Sequence, residues 1–184
     1  YAIKKLEDGD QVPKLPVYVD SPMALKALEF YKRHAHELDD DIQKRRGEVC
    51  AFCTARFTAV PSARESHDVV EREGPAIVIA SSGMATGGRV LHHLVKGLPD
   101  PKNTVLFVGF QAAGTRGRQL IEGATEVKIQ GQLIPVHARV EKLNGMSAHA
   151  DASEIMRWLR TFPSPPGMTY LVHGEASAQD ALKR

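Results

Sequence analysis

The strongest constraint on how this chain can fold is a unit that occurs three times in its first 125 residues: a short apolar run, a loop of small residues, then an apolar pattern of helical period. In the first unit, Leu15–Val19 leads into Asp20. Ser21 can cap the next helix, and Pro22 takes its first position, where a missing N–H costs nothing; the helix continues through Met23, Leu25, Leu28 and Tyr31. In the second, Ala76–Ala80 is followed by Ser81-Ser-Gly-Met-Ala-Thr-Gly-Gly-Arg89 and a helix bearing Val90, Leu91, Leu94 and Val95. In the third, Thr104–Phe110 precedes Gln111-Ala-Ala-Gly-Thr-Arg-Gly-Arg118 and a helix with Leu120 and Ile121. Continuous β-branched runs between helices predict strands buried on both faces, hence an α/β fold with a parallel, doubly wound sheet. Ligands of such sheets bind outside the carboxyl ends of the strands, where all three loops fall.

The connecting segments carry their own signals. Asp39–Arg72 reads as a helical crossover, with Ser62 and Glu65 matching the capping box that opens a helix. Beyond about residue 125 the pattern shortens to alternating segments, Glu126–Ile129 and Gln132–Val140, read as edge strands because Pro135 cannot donate to a central ladder. Asp151 with Glu154 predicts a capped helix through Ile155, Met156, Trp158 and Leu159, ending near Pro163. Met168–Val172 reads as another buried strand, and a last helix begins near Ser177.

Composition excludes several classes. A chain of 184 residues is one domain, or one domain with a piece of a second. Hydrophobic residues at 42%, with 15 glycines besides, are enough for a packed core and exclude wholesale disorder. Lys and Arg number 24 against 22 acids, so any nucleic-acid contact must be local rather than spread over the chain. No apolar stretch approaches the roughly 20 residues of a membrane helix, so no membrane is predicted as a partner. The opening Tyr-Ala-Ile-Lys-Lys has no initiator Met and no apolar signal core, which predicts an unnatural start, no export signal and a cytoplasmic protein. Cys50 and Cys53 form a C-x-x-C with no second pair to complete a zinc ribbon; they read as reduced cysteines in or beside a loop, with a redox role as the alternative.

Chemistry concentrates in the small-residue loops. Ser81–Arg89 joins a strand to a helix, where free N–H groups and the helix dipole favour an anion. It is not a nucleotide P-loop, because Arg89-Val90 replaces the Lys-Ser/Thr pair, and it lacks the G-x-G-x-x-G spacing. A tight turn whose glycines serve only packing explains the loop equally well. The second Arg-bearing glycine loop, Gly114-Thr-Arg-Gly-Arg118, lies on the same edge and favours phosphate, as a phosphodiester rather than a free nucleotide.

Two of eight histidines stand at places that expose an imidazole: His149 before a helix and His173 at a strand end, although a core or surface histidine is the commoner case for each alone. They are too few for a closed zinc site. His34, His36, His67, His92, His93 and His137 read as surface or packing residues, and Asp39-Asp-Asp41 as a solvated helix end.

Five motifs in order resemble the β-CASP branch of metallo-β-lactamase-fold nucleases: Val-Asp-Ser-Pro-Met-Ala from 19, Ser-Gly-Met-Ala-Thr-Gly-Gly-Arg from 82, Gly-Phe-Gln-Ala-Ala-Gly-Thr-Arg-Gly-Arg from 109, Ser-Ala-His-Ala-Asp from 147 and Leu-Val-His-Gly-Glu from 171. The resemblance implies a β-CASP domain over 1–145 and, over 146–184, the returning segment of an incomplete metallo-β-lactamase domain. It implies that the glycine loops face an RNA backbone, with Ser82, Gly83, Gly87, Gly88, Arg89, Thr115 and Ser147 as contacts. It makes His149 a catalytic residue near the scissile phosphate and His173 a ligand to one of two zinc ions. The family's H-x-H-x-D-H motif and acidic motif A are absent. The resemblance puts them in a missing N-terminal region, so the chain is expected to be inactive alone and to retain no zinc. The competing reading is a non-catalytic RNA-binding subunit of a processing complex; DNA as substrate and a homo-oligomeric state stay open.

Overall fold

The computed structural model describes residues 1–45, 50–146, 149–172 and 174–183. The chain separates into two compact units, Tyr1–Gly145 and Met146–Arg184. In the first, α1 (Ala2–Asp8), β1 (Val17–Asp20) and α2 (Pro22–Arg33) lead to a 3-10 turn (Ala35–Glu37), α3 (Asp40–Gln43), β2 (Phe57–Ala59), α4 (Ala63–Glu71) and β3 (Ile77–Ala80). There follow α5 (Val90–Gly97), β4 (Thr104–Val108), α6 (Arg116–Ile121), β5 (Glu126–Ile129), β6 (Gln132–Pro135) and β7 (Arg139–Leu143). The second unit holds α7 (Ala152–Leu159) and α8 (Ala176–Leu182).

The predicted helix starts form for the stated reasons. Ser21 Oγ accepts from Ala24 N at 3.1 Å with Pro22 at the first helical position of α2. Ser62 and Glu65 make both halves of a capping box on α4, and Asp151 and Glu154 do the same on α7. Thr115 caps α6 by accepting from Arg118 N.

Parallel pairing is observed twice. β1 is the middle of a three-stranded sheet in the order β2-β1-β3, with Val17, Val19 and Asp20 in register with Ile77, Ile79 and Ala80. β4 pairs β7 in a second parallel sheet, and β5 and β6 form an antiparallel hairpin. Gln130 and Gly131 turn that hairpin, both at positive φ. The crossover reading of Asp39–Arg72 omitted β2, three residues that form a strand only because β1 supplies the ladder. Only the last two residues of Gln132–Val140, Arg139 and Val140, belong to β7, whose partner β4 lies more than thirty residues away in sequence.

The main core packs Leu94 and Leu98 of the α5 region, Phe107 of β4, Leu120 of α6 and Val127, Ile129 and Ile134 of the hairpin. β4 is buried on one face only: Phe107 is 5% exposed but Leu106 is 55% and Val108 49%. Its unbroken apolar run therefore does not mean burial on both faces.

Two expectations need correction. Met168–Val172 is not a strand; Met168, Tyr170 and Val172 are exposed, and no other described segment pairs with them. An apolar run becomes a strand only when a neighbour completes its hydrogen bonds. Cys50 and Cys53 are joined in a disulfide rather than reduced; a turn closed by Cys53 N donating to Cys50 O sets their Cα atoms 5.3 Å apart, within bridging distance.

Candidate nucleic-acid interface

Parallel pairing brings the carboxyl ends of β1, β2 and β3 to one edge of the sheet. At the end of β1, Asp20 is almost wholly buried, at 1% exposure. Ser66 of α4 donates to its Oδ2 at 2.6 Å, His93 Nε2 on α5 lies 2.7 Å from the same oxygen, and Arg89 donates to Oδ1 at 2.9 Å. Burial pushes the carboxyl up, but the hydrogen bonds from Ser66, His93 and Arg89 outweigh it and hold Asp20 below the usual carboxylate value. Arg89 also donates to the carbonyls of Val60 and Pro61 at 2.7 and 2.9 Å, just past the end of β2. One guanidinium thus clamps the ends of two strands to the start of α5, a task suited to its rigid fork of donors. Ser21 Oγ and Ser81 Oγ, 2.6 Å apart, join the ends of β1 and β3.

Arg89 was expected to face a phosphate; the hydrogen bonds it makes run to Asp20 and to the Val60 and Pro61 carbonyls, and its side chain keeps 21% exposure. The carbonyls past β2 and the Asp20 carboxylate need donors, and Arg89 is the cation within reach. Thr115 is occupied as well, its hydroxyl donating to Ala112 O at 2.6 Å while it caps α6. The other arginine of that loop, Arg116, donates to Lys128 O at 2.8 Å and to Ala85 O, tying the loop after β3 to α6 and the hairpin.

What the Ser81–Arg89 loop exposes is Gly83, Thr86 and Gly88, with Gly87 half-buried between them. Ser82 and Ala85 take positive φ of 88° and 51°, unusual for residues with a Cβ, and Ala85 N donates back to Ser82 O. Gly88 has φ of 79°, which explains its glycine. Gly83 and Gly87 differ: neither has positive φ, and a Cβ on either would meet nothing within 4 Å. Local packing therefore does not require glycine at these two positions. It does at Gly117, where a Cβ would lie 2.8 Å from Gly83 O; α6 approaches the loop closely enough there for Gly117 N to donate to Met84 O.

The sequence reading passed over Asp20 and His93 as functional residues. Their signal was the spacing of Arg89, just before α5, and His93, four residues on within it, opposite a strand-end carboxylate. It also passed over Gln111, fully buried after β4, whose two amide atoms have no hydrogen-bond partner in the protein. His67 and His92 line a groove of 540 Å³ between α4 and α5.

In the second unit His149 is exposed and lies two residues before the cap of α7. Ser147 and His173 lie outside the described residues. Among the described residues, one set of three metal-ligating side chains comes together, His34, His36 and Glu37, and the resemblance assigns none of them. The described residues do not assemble a zinc centre around His149, and a single further imidazole cannot hold an ion. No helix of the described residues is long and apolar enough to cross a membrane.

Comparison with known proteins agrees with this architecture. Residues 1–120 match the Beta-Casp domain family, and residues 133–184 match the Zn-dependent metallo-hydrolase RNA specificity domain, which reaches back over β6 and β7. The chain is 38% identical to the protein named ribonuclease TTHA0252 of Thermus thermophilus, over 95% of this chain and 40% of that protein. It is 34% identical to the transcription termination factor FttA of Thermococcus kodakarensis and 32% to that of Pyrococcus horikoshii, over 89% and 88% of this chain and 26% of each of those proteins. It thus spans between a quarter and two fifths of these relatives. The chain belongs to the β-CASP branch of the metallo-β-lactamase-fold RNA-processing nucleases.

Proposed function

We propose that this chain is the RNA-gripping part of a zinc-dependent nuclease that hydrolyses RNA phosphodiester bonds, and that its residues supply only part of the two-metal centre. The observation that carries the reading is the pair Gly83, exposed, and Gly87, half-buried, which leave open space beside the backbone after β3 although neither φ nor packing calls for glycine. A phosphate can approach such backbone closely, while Asp20 and Arg89 hold the loop from beneath. Ser82, Gly88, Thr115 and Ser147 complete the contact set, with Arg89 shaping the loop as well as adding charge. His173 would hold one of two zinc ions whose other ligands come from elsewhere in the parent protein, and ions bound there would supply the charge that polarises a phosphate and activates water. His149 is the catalytic histidine beside the scissile bond. In the same reading 1–145 is the β-CASP domain, its two parallel sheets belonging to one doubly wound layer, and 146–184 is the returning metallo-β-lactamase segment. The protein is cytoplasmic, homo-oligomerisation is compatible with it, and the chain alone neither retains zinc nor cleaves.

The test is single-stranded RNA binding by the wild-type chain and by Gly87→Glu, which adds a negative charge where the structure has room for a side chain. The expected result is an affinity that falls steeply with salt and drops at least about tenfold in the variant. Unchanged affinity overturns the assignment of this loop, and equal affinity for single-stranded DNA of the same sequence removes RNA as the preferred substrate. In the full-length protein, His149→Ala that cleaves RNA like the wild type would remove His149 from the chemistry.

A further inference from the structure

The segment between α2 and α3 carries a feature that RNA binding does not use. His34 ends α2 with its N–H donating to Phe30 O, and Glu37 N donates to His34 O at 2.9 Å, closing a 3-10 turn. Side chains three apart eclipse in such a turn, so the order His-Ala-His-Glu stacks His34 directly beside Glu37 and leaves His36 next to both. His34 Nδ1 lies 3.0 Å and His36 Nε2 3.3 Å from the same oxygen, Glu37 Oε1. One ligand atom from each of the three lies within 4.8 Å of the others. The His34 ring is fixed by stacking on Phe30, with centroids 4.4 Å apart and planes 27° from parallel. The two histidine rings lie 6.0 Å apart at 30°.

We propose that His34, His36 and Glu37 form a divalent-cation site of the zinc class on the surface of the first unit. Two imidazoles and a carboxylate are the donor set that zinc accepts, and bonds of about 2.0–2.2 Å in a tetrahedron separate ligand atoms by about 3.3 Å. The two histidine-to-carboxylate distances already match that edge, and rotation of the exposed His36 ring closes the third. The carboxylate that now bridges the two rings would share the ion with them. Three protein ligands leave a coordination position open to water or to a side chain of a partner. The site shares no residue with the RNA loops or with the histidines assigned to the nuclease chemistry, so it stands whether or not that reading does.

The experiment is a titration of the full chain with zinc chloride, followed through the imidazole NMR signals of each histidine. The expected result is a saturable 1:1 step in which His34 and His36 shift together. His36→Ala and Glu37→Gln, both at exposed positions, should each weaken that step at least about tenfold while leaving the melting temperature unchanged. The proposal is overturned if both variants bind as the wild type does. It is equally overturned if His67, His92 and His149 shift with the same midpoint, the mark of an adventitious ion only. A shift at His173 without one at His34 and His36 overturns this site and leaves the nuclease reading in place.

Discussion

Residues 1–145 bury Leu98, Leu120 and Ile129 to 1% exposure or less, whereas no described residue of 146–184 is buried. Both regions hold helices opened by a capping box, yet among the described residues paired strands occur only in the first. The difference separates two kinds of information in a sequence. A cap is satisfied by residues three positions away and forms with or without a core around it. A strand depends on a partner that can lie anywhere in the chain, which is why Met168–Val172, a largely apolar run, makes no ladder among the described residues while β3 pairs fully with β1.

The largest effect is expected at the centre of the first region. Asp20→Ala leaves Arg89 and His93 facing each other over a buried site without the carboxylate that holds them, and should cost about 3 kcal/mol in urea unfolding. The sign of the pH dependence follows from the depressed pKa of Asp20. A group whose folded value lies below its unfolded value of about 3.9 contributes stability above that pH and loses it as pH falls through the folded value. Wild type should therefore lose stability below about pH 4 more steeply than Asp20→Asn. Equal slopes would mean that the carboxylate is not what holds the edge together.

A smaller effect is expected where α6 meets the loop after β3. The Cβ of Gly117→Ala falls 2.8 Å from Gly83 O and 3.2 Å from the carbonyl carbon of Met84, both backbone atoms that cannot swing aside. Strain of this kind costs about 1–3 kcal/mol and should displace the very loop proposed to grip RNA. Gly87→Ala is the control. With open space and an ordinary φ it should stay within about 0.5 kcal/mol of wild type. If the two variants destabilise alike, the distinction between glycines that packing requires and glycines with open space beside them fails.

Much of the first region was legible because its signals are local or periodic. The three strand-loop-helix units, the caps at Ser21 and Ser62, and the place of each glycine loop after a strand all follow from spacing along the chain, as does the cap at Asp151 in the second region; that the two glycine loops follow strands of different sheets does not. What was not legible depends on pairing across the chain. β2 has three residues and an unremarkable composition, and Arg89, read as a ligand for phosphate, meets Asp20, Val60 and Pro61 from distant segments. A glycine-rich loop with an arginine announces an anion site, but the sequence does not say whether the cation faces the ligand or the protein. His34, His36 and Glu37 lay in plain view as neighbours, and the 3-10 turn that eclipses His34 with Glu37 was the missing step.

The smallest effect tests the comparison most directly, because the same motif occurs on both sides of it. Ser62→Ala removes the cap of α4, a helix that buries Ser66 and Val69, and should cost about 1 kcal/mol while leaving the helix intact. Asp151→Ala removes the cap of α7, which buries nothing among its described residues. Packing holds α4 after the cap is gone, since most helical stability in proteins comes from an apolar face set against a core. Beyond its cap and its own eight-residue ladder, the contacts α7 shows come from the residues just past its end, the Phe162 ring against Trp158 and the Thr161 hydroxyl on Trp158 O, and a helix of that length is marginal in water on its own. Amide exchange should therefore show protection lost along α7 in Asp151→Ala but kept along α4 in Ser62→Ala. If protection survives in α7 as well, that helix is held by something other than its cap, and the contrast between the two regions must be drawn elsewhere.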